Sequence, residues 1–301
     1  MLSLHTNAAS LSAQNSLSST QNKLSTTMTR LSTGFRINSA SDDAAGLQIA
    51  TRLKSQTSGM AVAMRNTQNS VSMLQTAEGA LNETGNILVR MKDLATQAAD
   101  GSSSKDDRTA MQAEYDSLAD ELGNIMKNTK FGGTALLHKD NGKLATSLTF
   151  QIGADKAETM AGDFTTDLAA VHTKLTATST RYSGGTTAAA GASTVGTDIS
   201  GTTDALGVSN ANTTIDELSQ AIDSVSTLRS KIGATSNRLD HVYNNLSNIS
   251  TNTQAAAGRI MDVDFATESA KMTSSQMLMQ AGTAMLKQTN QMSSMVMSLL
   301  Q

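Results

Sequence analysis

TIDELSQAIDSVSTLRSKIGATSNRLDHVYNNLSNISTNTQAAA, residues 214–257, sets Leu218, Val225, Ile232, Leu239 and Leu246 at five consecutive seven-residue steps. Ile222, Leu228, Val242 and Ile249 flank them. A seven-residue apolar repeat draws one narrow stripe along a helix, and such a stripe is buried against other helices. Thr214-Ile-Asp-Glu217 has the form of a capping box, in which a hydroxyl and a carboxylate satisfy the first free N–H groups, so the spacing predicts a helix start there. At 1.5 Å per residue this helix would run roughly 65 Å. A compact globule has no room for it.

The same period recurs outward in both directions. Leu4 and Leu11, then Leu17, Leu24 and Leu31, repeat by seven near the start. From Leu53, the residues Met60, Leu74, Leu81 and Leu88 keep one register, with Thr67 the polar exception and Met64 and Val71 adjoining. Met111, Tyr115, Leu118, Leu122 and Ile125 step by four and three. At the far end Leu278, Met285, Met292 and Leu299 repeat by seven. The chain has no Pro, no Cys and no Trp in 301 residues. Average usage would give roughly fifteen prolines, so their absence favours long uninterrupted helices.

Boundaries are marked by local chemistry. Ser39-Ala-Ser41-Asp42-Asp43 supplies capping oxygens and negative charge before a helix over Leu47–Leu88, and Asp262-Val-Asp264 does so before the last helix. Gly101 with Ser102–Ser104 separates the second helix from the third, which Gly132-Gly133 ends. Leu148, Phe150 and Ile152 then alternate, with Asn141-Gly142 ahead of them, which suggests a hairpin with a tight turn. Residues 176–212 are dominated by Ser, Thr, Gly and Ala without a period, the composition of a surface insertion. The expected fold is mainly α: a long coiled-coil-like rod of N- and C-terminal arms, with a small hairpin region and a short insertion.

Several functions are disfavoured. Without Cys there is no disulfide framework or thiolate site. A net charge of −3 with 16 % charged residues gives no basic face for nucleic acid. No apolar run reaches the length of a membrane-spanning helix, and MLSLHTNAAS lacks the pattern of a secretory signal peptide. His5, His138, His172 and His241 stand alone, and each reads as a surface or partly packed histidine. Gly132-Gly133 and Gly184-Gly185 lack the strand–loop–helix setting of a nucleotide loop. Asp42-Asp43 and Asp262/Asp264 read as caps. No catalytic constellation, metal site or cofactor site is expected. The methionines Met272, Met277, Met279, Met285, Met292, Met295 and Met297 cluster near the C-terminus and read as helix–helix packing. Polar-rich arms with so little aromatic mass must pair with each other, with other copies, or both, so the residues point to a self-associating helical protein.

The sequence also resembles a known family. RLSTGFRINSASDDAAGLQIATRL (Arg30–Leu53) looks like the N-terminal signature of bacterial flagellins. QTAEGALNETGNILVRMKDLATQAADG (Gln75–Gly101) resembles their first long core helix, and FGGTALL and LTFQIGAD their turn-and-hairpin region. GRIMDVDFATESAKMTSSQMLMQAGTAMLKQTNQMSSMVMSLL (Gly258–Leu300) resembles the flagellin C-terminus. The opening MLSLHTN is similar to lateral, or swarming, members. Junction proteins between hook and filament share the N-terminal signature, but the C-terminal match favours flagellin itself.

The resemblance implies an extracellular subunit that self-polymerises into a hollow filament for swimming or swarming. Residues 1–42 and 262–301 would form an inner terminal coiled coil. Residues 43–175 and 213–261 would form an outer helical tube with the hairpin, and 176–212 a reduced surface insertion. Expected partners are many copies of the chain, the flagellar export apparatus and its chaperone, and hook-associated and cap proteins. The expected polymerisation seams are the heptad residues Leu17, Leu24, Leu31, Leu218, Val225, Ile232, Leu239, Leu246, Leu278, Met285, Met292 and Leu299. The resemblance further implies recognition by a Toll-like innate receptor of a host through Arg90, Leu94 and Glu114, with Arg90 and Leu94 one helical turn apart. The alternative is a hook–filament junction protein or a secreted adhesin-like interaction protein that binds through 176–212.

Overall fold

The computed structural model describes residues 7–182 and 196–299, with side chains up to Met292 at the C-terminal end. Gly184-Gly185, Leu4 and His5 lie outside the described residues, as do the side chains of Met295, Met297 and Leu299. The element order is α1 (Ala8–Thr33), α2 (Ala44–Ala98), α3 (Lys105–Asn128), β1 (Lys130–Phe131), β2 (Thr134–Ala135), a 3-10 turn (Lys143–Ala145), β3 (Leu148–Gln151), β4 (Thr159–Gly162), α4 (Thr165–Thr178), α5 (Asp204–Met261) and α6 (Phe265–Leu299). The fold is mainly α with two small antiparallel strand pairs. Contacts divide the chain into Met1–Thr57 with Ser250–Gln301, and Ser58–Ile249. The division falls inside α2 and α5.

The unit 58–249 holds the main core. Its α2 stripe (Leu74, Leu81, Leu88, Met91) joins Tyr115, Leu122 and Met126 of α3. Leu168, Val171 and Leu175 of α4 and Leu218, Val225, Ile232 and Leu239 of α5 complete it. A smaller cluster joins Met60 and Ala63 to Leu246. Ser104 and Asp107 make the capping box that starts α3.

Four expectations are corrected here. First, α5 starts at Asp204, so Thr214 is not a cap; its hydroxyl donates to the Asp198 carbonyl at 2.6 Å. The 58-residue helix is about 87 Å long at the ideal rise. Second, Gly132 and Gly133 do not end α3, which stops at Asn128; they form the two-residue turn between β1 and β2. Their φ values of 57° and 82° meet the need of such a turn for positive φ. Third, Asn141-Gly142 is not the hairpin turn, because β3 pairs with β4 across residues 152–158. Fourth, much of 176–212 is not a loose insertion. Thr178, Ser179, Tyr182, Ile199 and Ser200 are buried, and Gly207 and Ala211 are packed inside α5.

Polar side chains of α3 hold those segments. Gln112 Oε1 accepts from the Ile199 N–H at 2.7 Å, and Asp116 Oδ2 from the Gly196 N–H at 2.9 Å. Asn210 of α5 donates to the carbonyls of Thr197 and Ser200. Tyr115 donates its hydroxyl to the Thr178 carbonyl at 2.6 Å, and burial pushes that phenol well above its ordinary range. Asp198, also desolvated, is shifted upward although Thr180, Ser179 and Gln112 all donate to it.

Candidate self-association site

The unit 1–57/250–301 is built differently. In α1 the covered or half-covered positions are Ser10, Ala13, Leu17, Thr20, Leu24, Thr27 and Leu31, which step by three and four, with Arg30 beside Leu31. In α6 they are Glu268, Met272, Ser275, Met279, Gly282, Leu286 and Thr289, with the same alternation. These two sets form an antiparallel seam. Asn7 Nδ2 reaches the Thr289 carbonyl at one end, and Arg30 lies 3.8 Å from Glu268 at the other. Much of the seam is polar. Ser, Thr and Asn side chains line an open groove of about 1100 Å³ along it.

The end near Glu268 is held by charge and by backbone. The Glu268 carboxylate is buried and receives Lys271 Nζ at 3.2 Å as well as Arg30. Arg30 Nη2 lies 3.9 Å from Asp42. The N–H groups of Asn38 and Ser39 both donate to Asp42 and hold its carboxyl below the usual range. Phe35 bridges Asp262, the Arg36 N–H donates to the Met261 carbonyl at 2.6 Å, and the Val263 N–H donates to Gly34 at 3.0 Å. Gly34, at φ 76°, closes α1 so that this strap can form. Asp264 caps α6 by accepting from the Ala266 and Thr267 N–H groups; with the Thr267 hydroxyl as the strongest donor, its carboxyl is held low. Asp262 serves the strap instead. Asp43 caps α2 through the Gly46 N–H at 2.8 Å.

The eleven heptad residues whose side chains are described fall into three groups; the side chain of the twelfth, Leu299, lies outside the described residues. Leu17, Leu24 and Leu31 line the α1–α6 seam within the chain. Leu218, Val225, Ile232, Leu239 and Leu246 are buried by the chain's own helices, so their reading as contacts between copies is corrected: they are core. Leu278, Met285 and Met292 are 59, 64 and 56 % exposed. Leu278 and Met285 lie one residue, or about 100° of helix rotation, from Met279 and Leu286, which meet α1, and Met292 continues their seven-residue step. Thus α6 carries two stripes, one occupied and one open. The seam residues Ser275, Gly282 and Thr289 escaped the apolar count because they are polar or lack a side chain; their four–three spacing with Met272 and Met279 was the available signal.

Arg90 and Glu114 come together. Arg90 Nη2 donates to Glu114 Oε1 at 2.6 Å, and both side chains are about half exposed. Leu94 does not join them. It is buried with Met91 and Ala95 in the α2 stripe, so a joint Arg90–Leu94 surface patch is corrected. The isolated histidines also differ from one another, since His172 is fully buried between Leu137 and Tyr182. Among the described residues, no three His, Asp or Glu side chains converge as a metal site would require, and no helix is long and apolar enough to cross a membrane.

Two family models match the chain. The bacterial flagellin N-terminal helical region matches residues 4–142, and the bacterial flagellin C-terminal helical region matches 215–300. Flagellin D of Vibrio cholerae is 35 % identical over 379 aligned residues, covering 99 % of each chain. Polar flagellin B/D of Vibrio parahaemolyticus is 34 % identical, also over 99 % of each chain. The crystal structure of Bacillus cereus flagellin aligns at 30 % identity with a TM-score of 0.47, covering 64 % of this chain and 94 % of that one. With 379 aligned positions against 301 residues here, the Vibrio relatives carry additional residues. The two ends match in the order of the family, and the full-length identity spans the region between them. The chain belongs to the bacterial flagellins.

Proposed function

We propose that the chain is a structural subunit that polymerises in many copies into the extracellular flagellar filament, a propeller for swimming or swarming. The observation that carries this reading is the second stripe of α6. Leu278, Met285 and Met292 stand open beside a stripe already taken by α1, and apolar rows at heptad spacing are stabilised by a partner helix. The partner is an equivalent helix of another copy. In this reading residues 1–42 and 262–301 form the inner layer, residues 43–175 and 213–261 the outer helical layer, and 176–212, of which 183–195 lie outside the described residues, the short surface insertion. Lateral-type identity rests on the opening MLSLHTN alone, which lies largely outside the described residues.

Export through the flagellar apparatus with its chaperone, and contact with hook-associated and cap proteins, belong to the same proposal. A chain without Cys forms no disulfide, and one without Pro has no slow cis–trans step when it refolds. The reading gives the chain no catalytic role. The family matches at both ends favour a filament subunit over a junction protein or adhesin. A Toll-like receptor would engage the exposed Arg90–Glu114 pair, without Leu94. The decisive experiment is seeded polymerisation viewed by electron microscopy, comparing the full chain with one lacking residues 265–301. Filaments from the full chain and none from the truncated, still folded chain are expected; filaments from both would refute the reading.

A further inference from the structure

All sulfur in this chain is thioether: 17 methionines and no cysteine. Among the described residues the extremes divide by place. Met60, Met73, Met91, Met126 and Met160 are buried, and all belong to the unit 58–249. Met28, Met277, Met285 and Met292 are 55 to 64 % exposed, and all belong to the terminal unit. Met285 and Met292 occupy the open stripe of α6, and Met277 stands beside Leu278 at its start.

We propose that Met277, Met285 and Met292 form an oxidation site, at which a peroxide converts the free subunit into a form unable to assemble. The thioether sulfur attacks one peroxide oxygen; the S–O bond forms as the O–O bond breaks. A proton moves to the departing oxygen, so the products are methionine sulfoxide and water. Sulfur is oxidised by two electrons and the peroxide is reduced by two. The product replaces a flexible apolar side chain with a polar one. On a stripe to be desolvated against another helix, each sulfoxide oxygen would be buried without a donor. The core methionines are shielded, so the fold survives the treatment. Absence of Cys removes the thiol that would otherwise react first.

The inference rests on the assembly reading, and the test separates the two. Monomer is exposed to dilute hydrogen peroxide, and oxidation at each methionine is followed by mass spectrometry, with circular dichroism as the check on folding. Met277, Met285 and Met292 should oxidise at least about tenfold faster than Met60, Met91 and Met126, by the dependence of reactivity on exposure. Seeded assembly of the oxidised monomer should be lost, then restored by methionine sulfoxide reductases. Compared with its own untreated state, a Met277→Leu/Met285→Leu/Met292→Leu variant should lose no assembly after the same treatment. Equal oxidation of core and stripe, undiminished assembly of the oxidised monomer, or a peroxide-sensitive triple variant would each overturn the proposal. Failure of untreated protein to assemble would overturn the assembly reading, and the oxidation map would still report on the site by itself.

Discussion

Arg108 Nη1 donates to Asp204 Oδ1 at 2.9 Å, joining the first turn of α3 to the first residue of α5 across 96 positions of sequence. The guanidinium is buried, and its other nitrogens donate to the carbonyls of Ala98 at 2.8 Å and Asp100 at 3.0 Å. One planar fork thus terminates α2 and seats α5.

Replacing Arg108 tests that arrangement. Arg108→Ala strands two carbonyls in a buried setting and is expected to cost about 3 kcal/mol of folding stability. Arg108→Lys should recover less than half, because one ammonium cannot reproduce the three-way fork. Denaturant unfolding of the three proteins measures both effects. Equal stability of Arg108→Ala and the parent would show that the fork contributes nothing.

His172 gives a pH signature. Its Nε2 donates to the Leu137 carbonyl at 2.9 Å and its Nδ1 accepts from Tyr182 at 2.6 Å, an arrangement that requires the neutral ring. Burial lowers its pKa from 6.5 to about 4. Above pH 6.5 the ring is neutral in both folded and unfolded chains and adds no pH dependence. Between 6.5 and 4 only the unfolded chain binds the proton, so stability falls as pH falls, by up to about 3 kcal/mol. Unfolding midpoints at pH 7 and pH 4.5 should differ less in His172→Gln than in the parent; equal differences would remove the assignment.

Two substitutions separate core from surface along the heptads. Leu239→Ala, in the core, should lower monomer stability by about 3 kcal/mol. Met285→Asp, on the open stripe, should change it by less than about 1 kcal/mol and abolish filaments. Normal filaments from Met285→Asp would reject the stripe as a contact between copies.

For the receptor, Arg90→Ala should lower signalling by the monomer about tenfold, as expected for loss of one interface anchor, with the melting temperature little changed. Leu94→Ala should act on stability, by about 2–4 kcal/mol. Unchanged signalling by Arg90→Ala would remove the pair from recognition.

What could be read from residues alone followed the period of the burial. Leu218 to Leu246 and Met111 to Ile125 mark their helix faces because apolar side chains recur where the helix turns inward. Asp43 and Asp264 announce their caps because capping is local. Arg108, Gln112 and Asp116 left no such mark, since the partners that tie them to α5 and to residues 196–199 lie about 80 to 96 residues away and a buried polar side chain has no period. The residues of 196–200 look like insertion for the same reason: α3 and α5 hold them mainly through main-chain hydrogen bonds, to which composition is blind. On α6 the apolar count found the open stripe and missed the occupied one, because Glu268, Ser275 and Thr289 are legible as polar surface until α1 covers them.

The α1–α6 seam joins Asn7 to Thr289, a separation of 282 residues. A ribosome, or a pore that threads the chain from its N-terminus, releases α1 long before its partner α6. Until the 35 residues of α6 emerge, α1 has only a polar face and an unfilled row of leucines, and nothing to zip against. Closing so large a loop is entropically costly, yet it makes seam formation conditional on a chain that continues through α6. A prematurely terminated product could fold the unit 58–249 but could never present the paired helices. The seam therefore acts as a length check made by geometry.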